Sequence, residues 1–146
     1  MNIHMDLKEN SYDIVVERGI LANAKQHLNL DRRVLVVTDS GVPAVYAQKL
    51  ADQCTKPVIY TVETGEGSKS LGVFGQLLQA MLDHNFSRKD CVVAVGGGVV
   101  GDLSGFAWNN KLLIKLVIGL PGDWIEIDTD GTVYLNGEKL DEPYAQ

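Results

Sequence analysis

The fold of this chain is decided by the stretch Val92-Val93-Ala94-Val95-Gly96-Gly97-Gly98-Val99-Val100-Gly101-Asp102-Leu103. Four apolar residues typical of a buried strand lead directly into three glycines, and an apolar segment with one acidic residue follows. This order predicts a strand, a turn that needs bare backbone, and the start of a helix. Glycines at such a turn let backbone N–H groups approach a ligand closely, and a helix N-terminus favours negative charge. The stretch therefore predicts a site for a phosphate or pyrophosphate group.

Length and composition indicate one domain with a substantial core, because the chain has 146 residues and 45% of them are hydrophobic. A formal net charge of −6 argues against nucleic acid and anionic membranes as partners, but not against a small anionic ligand bound by backbone dipoles. The first residues lack the apolar segment of a signal peptide, and the longest apolar stretch, Leu112 to Leu120, is too short to span a bilayer. We therefore expect a cytoplasmic protein.

Cysteine and histidine residues give no sign of a metal or redox site. Cys54 and Cys91 are far apart in the sequence, and no CxxC motif is present. We expect Cys91 to be a small core residue and Cys54 to be partly exposed. His4, His27 and His84 are isolated, so we expect surface or helix-end positions for them and no bound metal.

Strands and helices alternate through the first three quarters of the chain, after an antiparallel hairpin formed by residues 3–7 and 12–17. Predicted strands span Arg33 to Thr38, Val58 to Val62 and Cys91 to Val95. Predicted helices span Ile20 to Leu28, Pro43 to Gln53, Ser70 to Asn85 and the segment from the glycine turn to Trp108. Val45 and Leu50 are predicted to face inward on the second of these helices. The third is predicted to bury one face, made of Leu71, Phe74, Leu77, Leu78, Met81 and Leu82.

After Trp108 the pattern changes to short strands separated by turns. Asp128-Thr129-Asp130-Gly131 and Asn136-Gly137 have the turn chemistry of an antiparallel meander. The predicted fold class is α/β, with a Rossmann-like, mostly parallel sheet covered by helices on both faces, an N-terminal β-hairpin and a C-terminal meander. Ligands bind such sheets beyond the carboxyl ends of the strands. Three loops are predicted to meet there: Asp39 to Gly41, Glu63 to Lys69, and Gly96 to Gly98.

Residues 1–107 resemble the N-terminal, dinucleotide-binding half of 3-dehydroquinate synthase. The motifs that carry the resemblance are Val37-Thr38-Asp39, Gly65-Glu66-Gly67-Ser68-Lys69-Ser70-Leu71 and the run from Gly96 to Ala107. This family is an NAD-dependent, phosphate-eliminating lyase of the shikimate pathway, so the implied ligand is NAD. The resemblance assigns Asp39 to the adenosine end, Glu66 and Lys69 to ribose hydroxyls, Gly97 and Gly98 to the pyrophosphate, and Asp102 to a place near the nicotinamide. This chain departs from the family at Gly41, where asparagine is common.

Each of these residues also has a purely structural interpretation. The glycines suit a tight strand-to-helix turn, Asp102 suits the helix dipole, and Glu66 with Lys69 suits a solvated loop pair. With the motifs in register we favour an inherited nucleotide site, and leave open whether NAD still occupies it.

Residues 111–144 resemble a different protein, the segment of type I signal peptidase that carries the catalytic lysine. The matching residues are Ile114 to Asp123, Val133 to Gly137 and Leu140 to Tyr144. Lys115 matches the general-base lysine, but the family's serine motif and membrane anchor have no counterpart, so we expect no peptidase activity and an edge or snorkelling role for Lys115. Leu116 replaces a common arginine, which suits burial.

The two resemblances indicate a chimera divided into residues 1–107 and 108–146. We expect Leu112 to Leu120 to enter the parallel sheet as its next strand. The first functional hypothesis is an NAD-binding half-enzyme that completes no chemistry, since the family's zinc ligands and much of its substrate site lie in a second domain. The alternative is an engineered or recombined fold with neither parental function. Exposed apolar surface and a free strand edge also predict a homo-oligomer.

Overall fold

The structure is a computed structural model that describes residues 2–107, 111–114, 124–127 and 132–139. It opens with the predicted hairpin, in which β1 (Asn2–Met5) pairs antiparallel with β2 (Tyr12–Val15). A short 3-10 helix, Lys8–Asn10, joins the two strands. Side chains alternate across a strand, so one face of the hairpin is apolar and the other carries the His4–Asp13 pair.

The centre of the fold is a parallel sheet of four strands: β3 (Arg33–Asp39), β4 (Lys56–Val62), β5 (Cys91–Val95) and β6 (Lys111–Ile114). Their order is β4-β3-β5-β6, and every neighbouring pair is parallel. β5 is buried throughout and β3 nearly so, which explains why both are continuous apolar runs rather than alternating ones. The predicted α/β class and parallel sheet are confirmed.

Three α-helices cover the two faces of this sheet: α1 (Ala44–Ala51), α2 (Leu71–Asp83) and α3 (Gly98–Ala107). α1 packs on one face, where Leu50 joins Val34, Val36 and Val93 in a buried cluster. α2 and α3 pack on the other, where their inward residues meet the alternate residues of β3 and β5. The buried residues contributed by these two helices are Leu77, Met81, Val99, Val100 and Leu103.

The predicted helix over Ile20 to Leu28 is instead a 3-10 helix, Ile20–Gln26, with non-helical backbone at Asn23. Of its residues only Ala24 is fully buried, with Leu21 partly buried against the same cluster. A 3-10 helix aligns residues three apart, so it presents Leu21 and Ala24 together without an α-helical stripe.

On α1 and α2, fewer residues are buried than the sequence predicted. Val45 is 52% exposed rather than inward, because α1 buries the narrower set of Ala47, Leu50 and Ala51. On α2, Leu77 and Met81 are buried, as predicted, and Phe74 is half-buried. Leu71, Leu78 and Leu82 were predicted to be buried but are 88%, 38% and 69% exposed.

The C-terminal part begins as predicted, since β6 takes the place beside β5 with Leu113 opposite Ala94. The rest of the predicted strand, including Lys115 and Leu116, lies outside the described residues, as does the turn at 128–131. The antiparallel strands β7 (Ile125–Ile127), β8 (Val133–Leu135) and β9 (Glu138–Lys139) form the predicted meander. Asn136 and Gly137 both have positive φ, 54° and 83°, as a two-residue type I′ turn requires.

Cys91 is buried and Cys54 half-buried, as predicted. Within the described part of the chain, no helix is both long and apolar enough to cross a membrane.

Candidate functional site

The three predicted loops lie at one edge of the sheet, because β3, β4 and β5 are neighbours and parallel. Hydrogen bonds join the first two loops. Ser40 Oγ donates to Glu63 Oε2 at 3.3 Å and accepts from the Thr64 N–H at 3.0 Å, while the Ser40 N–H donates to the Val62 carbonyl at 2.9 Å. The loops after β3 and β4 therefore form one connected rim at the carboxyl edge.

Asp39 ends β3 and is almost fully buried. Its Oδ1 accepts hydrogen bonds from the Gly41 N–H at 2.8 Å and the Val42 N–H at 3.2 Å, which fixes the turn into α1. Beside it, a cleft of about 440 Å³ runs between α1 and β4. Thr38 lines this cleft, and its buried hydroxyl has no hydrogen-bond partner among the described residues, so it is available to a ligand.

Gly41 lies in a tightly packed turn. A Cβ there would lie 3.0 Å from Thr64 Oγ1 and 3.1 Å from Asp39 Oδ1. An asparagine, common at this position in the resembled family, would therefore require the Thr64 side chain to move. Sequence reasoning singled out Gly41 but missed Thr64, the residue that fills the space.

The three glycines after β5 serve two different purposes. A Cβ on Gly96 would lie 3.0 Å from Val100 Cγ2, so this glycine lets the turn pack closely on α3. A Cβ on Gly97 or Gly98 would meet no atom from another part of the chain within 4 Å, so the space in front of these two glycines is open. The first backbone bond of α3 runs from the Gly101 N–H to the Gly97 carbonyl at 3.1 Å. The preceding N–H groups have no partner within the helix and lie at the positive end of its dipole.

Lys69 joins the second loop to α3. Its Nζ lies 2.9 Å from Glu66 Oε2 and 3.1 Å from Asp102 Oδ2. Hydrogen bonds raise the pKa of Lys69 above its ordinary value; the bond to Glu66 contributes most and the bond to Asp102 next. The side chain is therefore charged at neutral pH. The structure thus brings together three of the predicted site residues from two separate segments.

The loop that carries Glu66 and Lys69 is held by a residue that the sequence prediction missed. Ser68 is buried, and its Oγ donates to the Glu63 carbonyl at 2.6 Å. Glu66–Ser68 form one 3-10 turn, which Gly65 precedes with a positive φ of 101°. An internal hydrogen bond inside a serine- and glycine-rich loop has no signature in sequence spacing.

The predicted residues occupy three places along the carboxyl edge. Asp39 lies at the cleft beside α1, Gly97 and Gly98 lie at the N-terminus of α3, and Glu66, Lys69 and Asp102 form the charged group between α3 and the second loop. Unpaired N–H groups suit a diphosphate, and paired carboxylates beside an ammonium suit sugar hydroxyls.

His4 and His84 lie apart from this edge. His4 Nδ1 is 2.7 Å from Asp13 Oδ1 on the hairpin, and His84 Nδ1 contacts the Ala80 carbonyl at the end of α2. The described residues contain no group of three or more histidine, cysteine or acidic side chains placed to hold a metal ion.

Residues 59–111 match the family model described as 3-dehydroquinate synthase N-terminal. The 3-dehydroquinate synthase of Clostridium kluyveri is 35% identical over an alignment of 117 positions, which covers 75% of this chain and 33% of that enzyme. The enzyme of Streptococcus pneumoniae is 36% identical over 113 residues, covering 73% of this chain and 32% of the relative. The chain thus spans about a third of the length of these relatives.

Solved structures give the same fold. A 2-deoxy-scyllo-inosose synthase in complex with carbaglucose-6-phosphate, NAD+ and Co2+ superposes with a TM-score of 0.68 at 21% identity, over 80% of this chain and 34% of that one. The 2-epi-5-epi-valiolone synthase of Streptomyces hygroscopicus, with NAD+ and Zn2+ bound, superposes with a TM-score of 0.60 at 28% identity, over 76% of this chain and 33% of that one. Part of this chain is therefore homologous to the N-terminal part of 3-dehydroquinate synthase-like proteins.

Proposed function

We propose that this chain binds NAD across the carboxyl edge of its sheet. The observation that carries the proposal is the pair Gly97 and Gly98, which have open space at their Cβ positions and lie at the start of α3, where the first N–H groups have no partner within the helix. The charged group of Glu66, Lys69 and Asp102 lies beside the same helix. The NAD+ held by the two superposed synthases supports the choice of dinucleotide.

Each part of the dinucleotide has residues that suit it. Gly97 and Gly98 would hold the pyrophosphate, and Glu66 and Lys69 would bind ribose hydroxyls. Asp39 would serve the adenosine end, where the cleft and the unpartnered Thr38 hydroxyl lie. Asp102 would lie near the nicotinamide, the part of NAD that accepts a hydride when the cofactor is bound. Lys69 already contacts both carboxylates, so a ligand hydroxyl has to share or displace one of these contacts.

We further propose that the 146 residues by themselves bind NAD weakly and complete no catalytic cycle. They span about a third of the relatives' length, and the side chain of Asp102, proposed to lie near the nicotinamide, is 59% exposed. The activity of the relatives, an elimination of phosphate in the resembled family, is thus proposed only for a longer assembly.

The division of the chain into residues 1–107 and a signal-peptidase-like segment, 108–146, is also a proposal. None of the relatives and structures compared above is a peptidase, whereas the family model for the synthase reaches residue 111. The pairing of β6 with β5 supports a segment that completes the sheet, whatever its origin. The alternative function, a recombined fold without either parental activity, predicts no dinucleotide binding at all.

Isothermal titration calorimetry with NAD separates these two functions. We expect saturable binding by the wild-type chain. Gly97→Val should weaken it at least about tenfold, or about 1.4 kcal/mol, because the branched side chain would fill the space proposed for the pyrophosphate. Gly75→Val is a matched control, since Gly75 lies on α2 and also has open space around its Cβ position. Absence of binding at millimolar NAD would favour the recombined fold, and unchanged affinity in Gly97→Val would contradict the assignment of the pyrophosphate.

A further inference from the structure

The amino edge of the sheet, opposite the proposed dinucleotide site, is rich in positive charge. Arg33 and Lys56 face each other in register at the start of β3 and β4. Three more cations lie close by, one before β3 and two in the turn before β5. We call this set the basic edge; its members are Arg32, Arg33, Lys56, Arg88 and Lys89. It holds five of the 13 lysine and arginine residues of the chain.

The two arginine side chains are fixed by neutral groups. Arg32 Nε donates to the Asn29 carbonyl at 2.9 Å, and Arg33 Nη1 donates to the Asn85 carbonyl while its guanidinium lies 5.8 Å from the Phe86 ring centre. No member of the basic edge lies within ion-pair distance of a carboxylate among the described residues. The two arginines are therefore held in place, and the positive charge of the basic edge is not compensated by a direct ion pair among the described residues.

A small anion is a poor fit for this edge. Two carboxylates, Asp31 and Asp90, line the shallow cleft of about 430 Å³ that lies there. They hold the local turns together by accepting hydrogen bonds, Asp31 from Thr55 Oγ1 at 2.6 Å and Asp90 from the Ser87 N–H at 2.6 Å. They would repel an anion inside the cleft. An acidic polypeptide segment can instead place its charges over the exposed cations, Lys56, Arg88 and Lys89.

Such a segment is present in this chain. Residues 123–142 contain seven acidic residues and a single basic one, Lys139, so they account for the whole net charge of −6. Two of the acids, Glu126 on β7 and Glu138 on β9, are described and are exposed. The described strands of this segment pair with one another, and neither glutamate forms an ion pair with the described body of the same chain.

We propose that the basic edge docks the acidic segment 123–142 of a second copy of this chain. The sequence predicted a homo-oligomer, and the proposal names the two surfaces that would form its contact: the basic edge and the acidic segment. In a two-fold symmetric pair each copy gives one basic edge and one acidic segment, so the contact forms twice. Opposite charges also steer the encounter and make the association dependent on salt.

Sedimentation velocity at about 50 mM and about 500 mM NaCl tests the docking directly. We expect a dimer at low salt and a dissociation constant at least about tenfold higher at high salt. The basic-edge variant Lys56→Glu/Arg88→Glu/Lys89→Glu should be monomeric at both. The matched control Arg18→Glu/Lys25→Glu/Lys49→Glu makes the same charge change at exposed positions elsewhere and should still dimerise.

A charge-swapped pair separates docking between copies from docking within one chain. The variant Glu126→Lys/Glu138→Lys/Asp141→Lys should be monomeric alone, as should the basic-edge variant, but an equimolar mixture should form a heterodimer. A wild-type chain that stays monomeric at low salt would overturn both self-association and this docking. A dimer that neither salt nor the basic-edge variant weakens would overturn the docking alone, and would point to the exposed leucines of α2. Neither result bears on NAD binding, which the calorimetric titration tests separately.

Discussion

Single glycines decide how closely the strand-to-helix turn after β5 can pack. Gly96 has no room for a side chain, since a Cβ there would crowd Val100 Cγ2 at 3.0 Å and Val42 Cγ2 at 3.4 Å. Gly98, two residues later, is the first residue of α3, and a Cβ there would meet no atom from another part of the chain within 4 Å. One glycine in the same run therefore serves packing, and its neighbours serve the proposed ligand.

We expect Gly96→Ala to destabilise the chain by about 1–3 kcal/mol, because the added methyl has to displace the Val100 side chain, while Val42 closes the other side of the space. Gly98→Ala is the matched control and should change stability by less than about 1 kcal/mol in either direction. Urea unfolding followed by circular dichroism measures both. Equal stabilities of the two variants would contradict the distinction drawn between these glycines.

Asp90 makes the structure sensitive to acid. Partial desolvation raises the pKa of Asp90. Hydrogen bonds from Ser87 and from the Arg33 N–H lower it by more, so the pKa lies below its ordinary value of 3.8. A lowered pKa in the folded state means that the carboxylate stabilises the fold above pH 3.8 and that this contribution is lost as the pH falls through the folded pKa. The carboxylate holds the turn before β5 to the start of β3.

Asp90→Asn should therefore be less stable than wild type near about pH 6, and the difference should shrink toward about pH 3. Urea midpoints of the two proteins across this range give the measurement. A stability difference that stays constant with pH would show that the charge of Asp90 is not what matters.

At the scale of elements, β6 is the strand that joins the C-terminal part to the sheet. It pairs with β5, a fully buried strand. Without β6, β5 would be the edge strand of the sheet. An apolar edge without a partner exposes both backbone groups and core side chains. The integrity of β5, and with it the turn at Gly96 to Gly98, therefore depends on β6.

Truncation after Trp108 should abolish cooperative thermal unfolding, because it removes β6. Truncation after Gly122 is the control, since it keeps β6 and removes only the meander; cooperative unfolding should persist. Differential scanning calorimetry distinguishes the two. A cooperative transition of similar midpoint in both truncated chains would mean that the C-terminal part is a tethered appendage.

Element types were predictable wherever one physical signal dominated. Continuous apolar runs predicted β3 and β5. Ser70 was predicted to cap α2, and its Oγ accepts a hydrogen bond from the Val73 N–H at 3.3 Å. Asn136-Gly137 predicted a turn, which the structure contains. Helix faces were predicted less well. Apolar residues such as Leu71 and Leu82 share the helical spacing of Leu77, but spacing cannot tell which of them another element covers.

The glycine turn was predicted as a phosphate site from the residues themselves, but the charged group of Glu66, Lys69 and Asp102 was predicted only through the family resemblance. Lys69 and Asp102 are 33 residues apart, and their 3.1 Å contact arises because β4 and β5 both flank β3. Periodicity carries no such information. The buried hydroxyls of Thr38 and Ser68 were missed for a related reason, since burial of a small polar residue depends on the loops that close over it.

At the scale of the whole molecule, the parallel sheet separates two chemically different edges. Its carboxyl edge carries the glycines and the charged group proposed for NAD, and its amino edge carries the basic edge, whose cations form no direct ion pair among the described residues. All of the net negative charge lies in residues 123–142, away from both edges in sequence. The pyrophosphate of the proposed dinucleotide would therefore lie against the positive dipole end of α3, which can favour it within a protein of negative net charge.

The central claim, NAD binding at the carboxyl edge, is tested most directly by a titration of the 15N-labelled chain with NAD, followed by amide NMR shifts. We predict saturable shifts at Gly97, Gly98 and Lys69, with the amides of Arg88 and Lys89 at the amino edge unchanged. Shifts that are absent, that grow linearly without saturation, or that lie at Arg88 and Lys89 instead would contradict the claim.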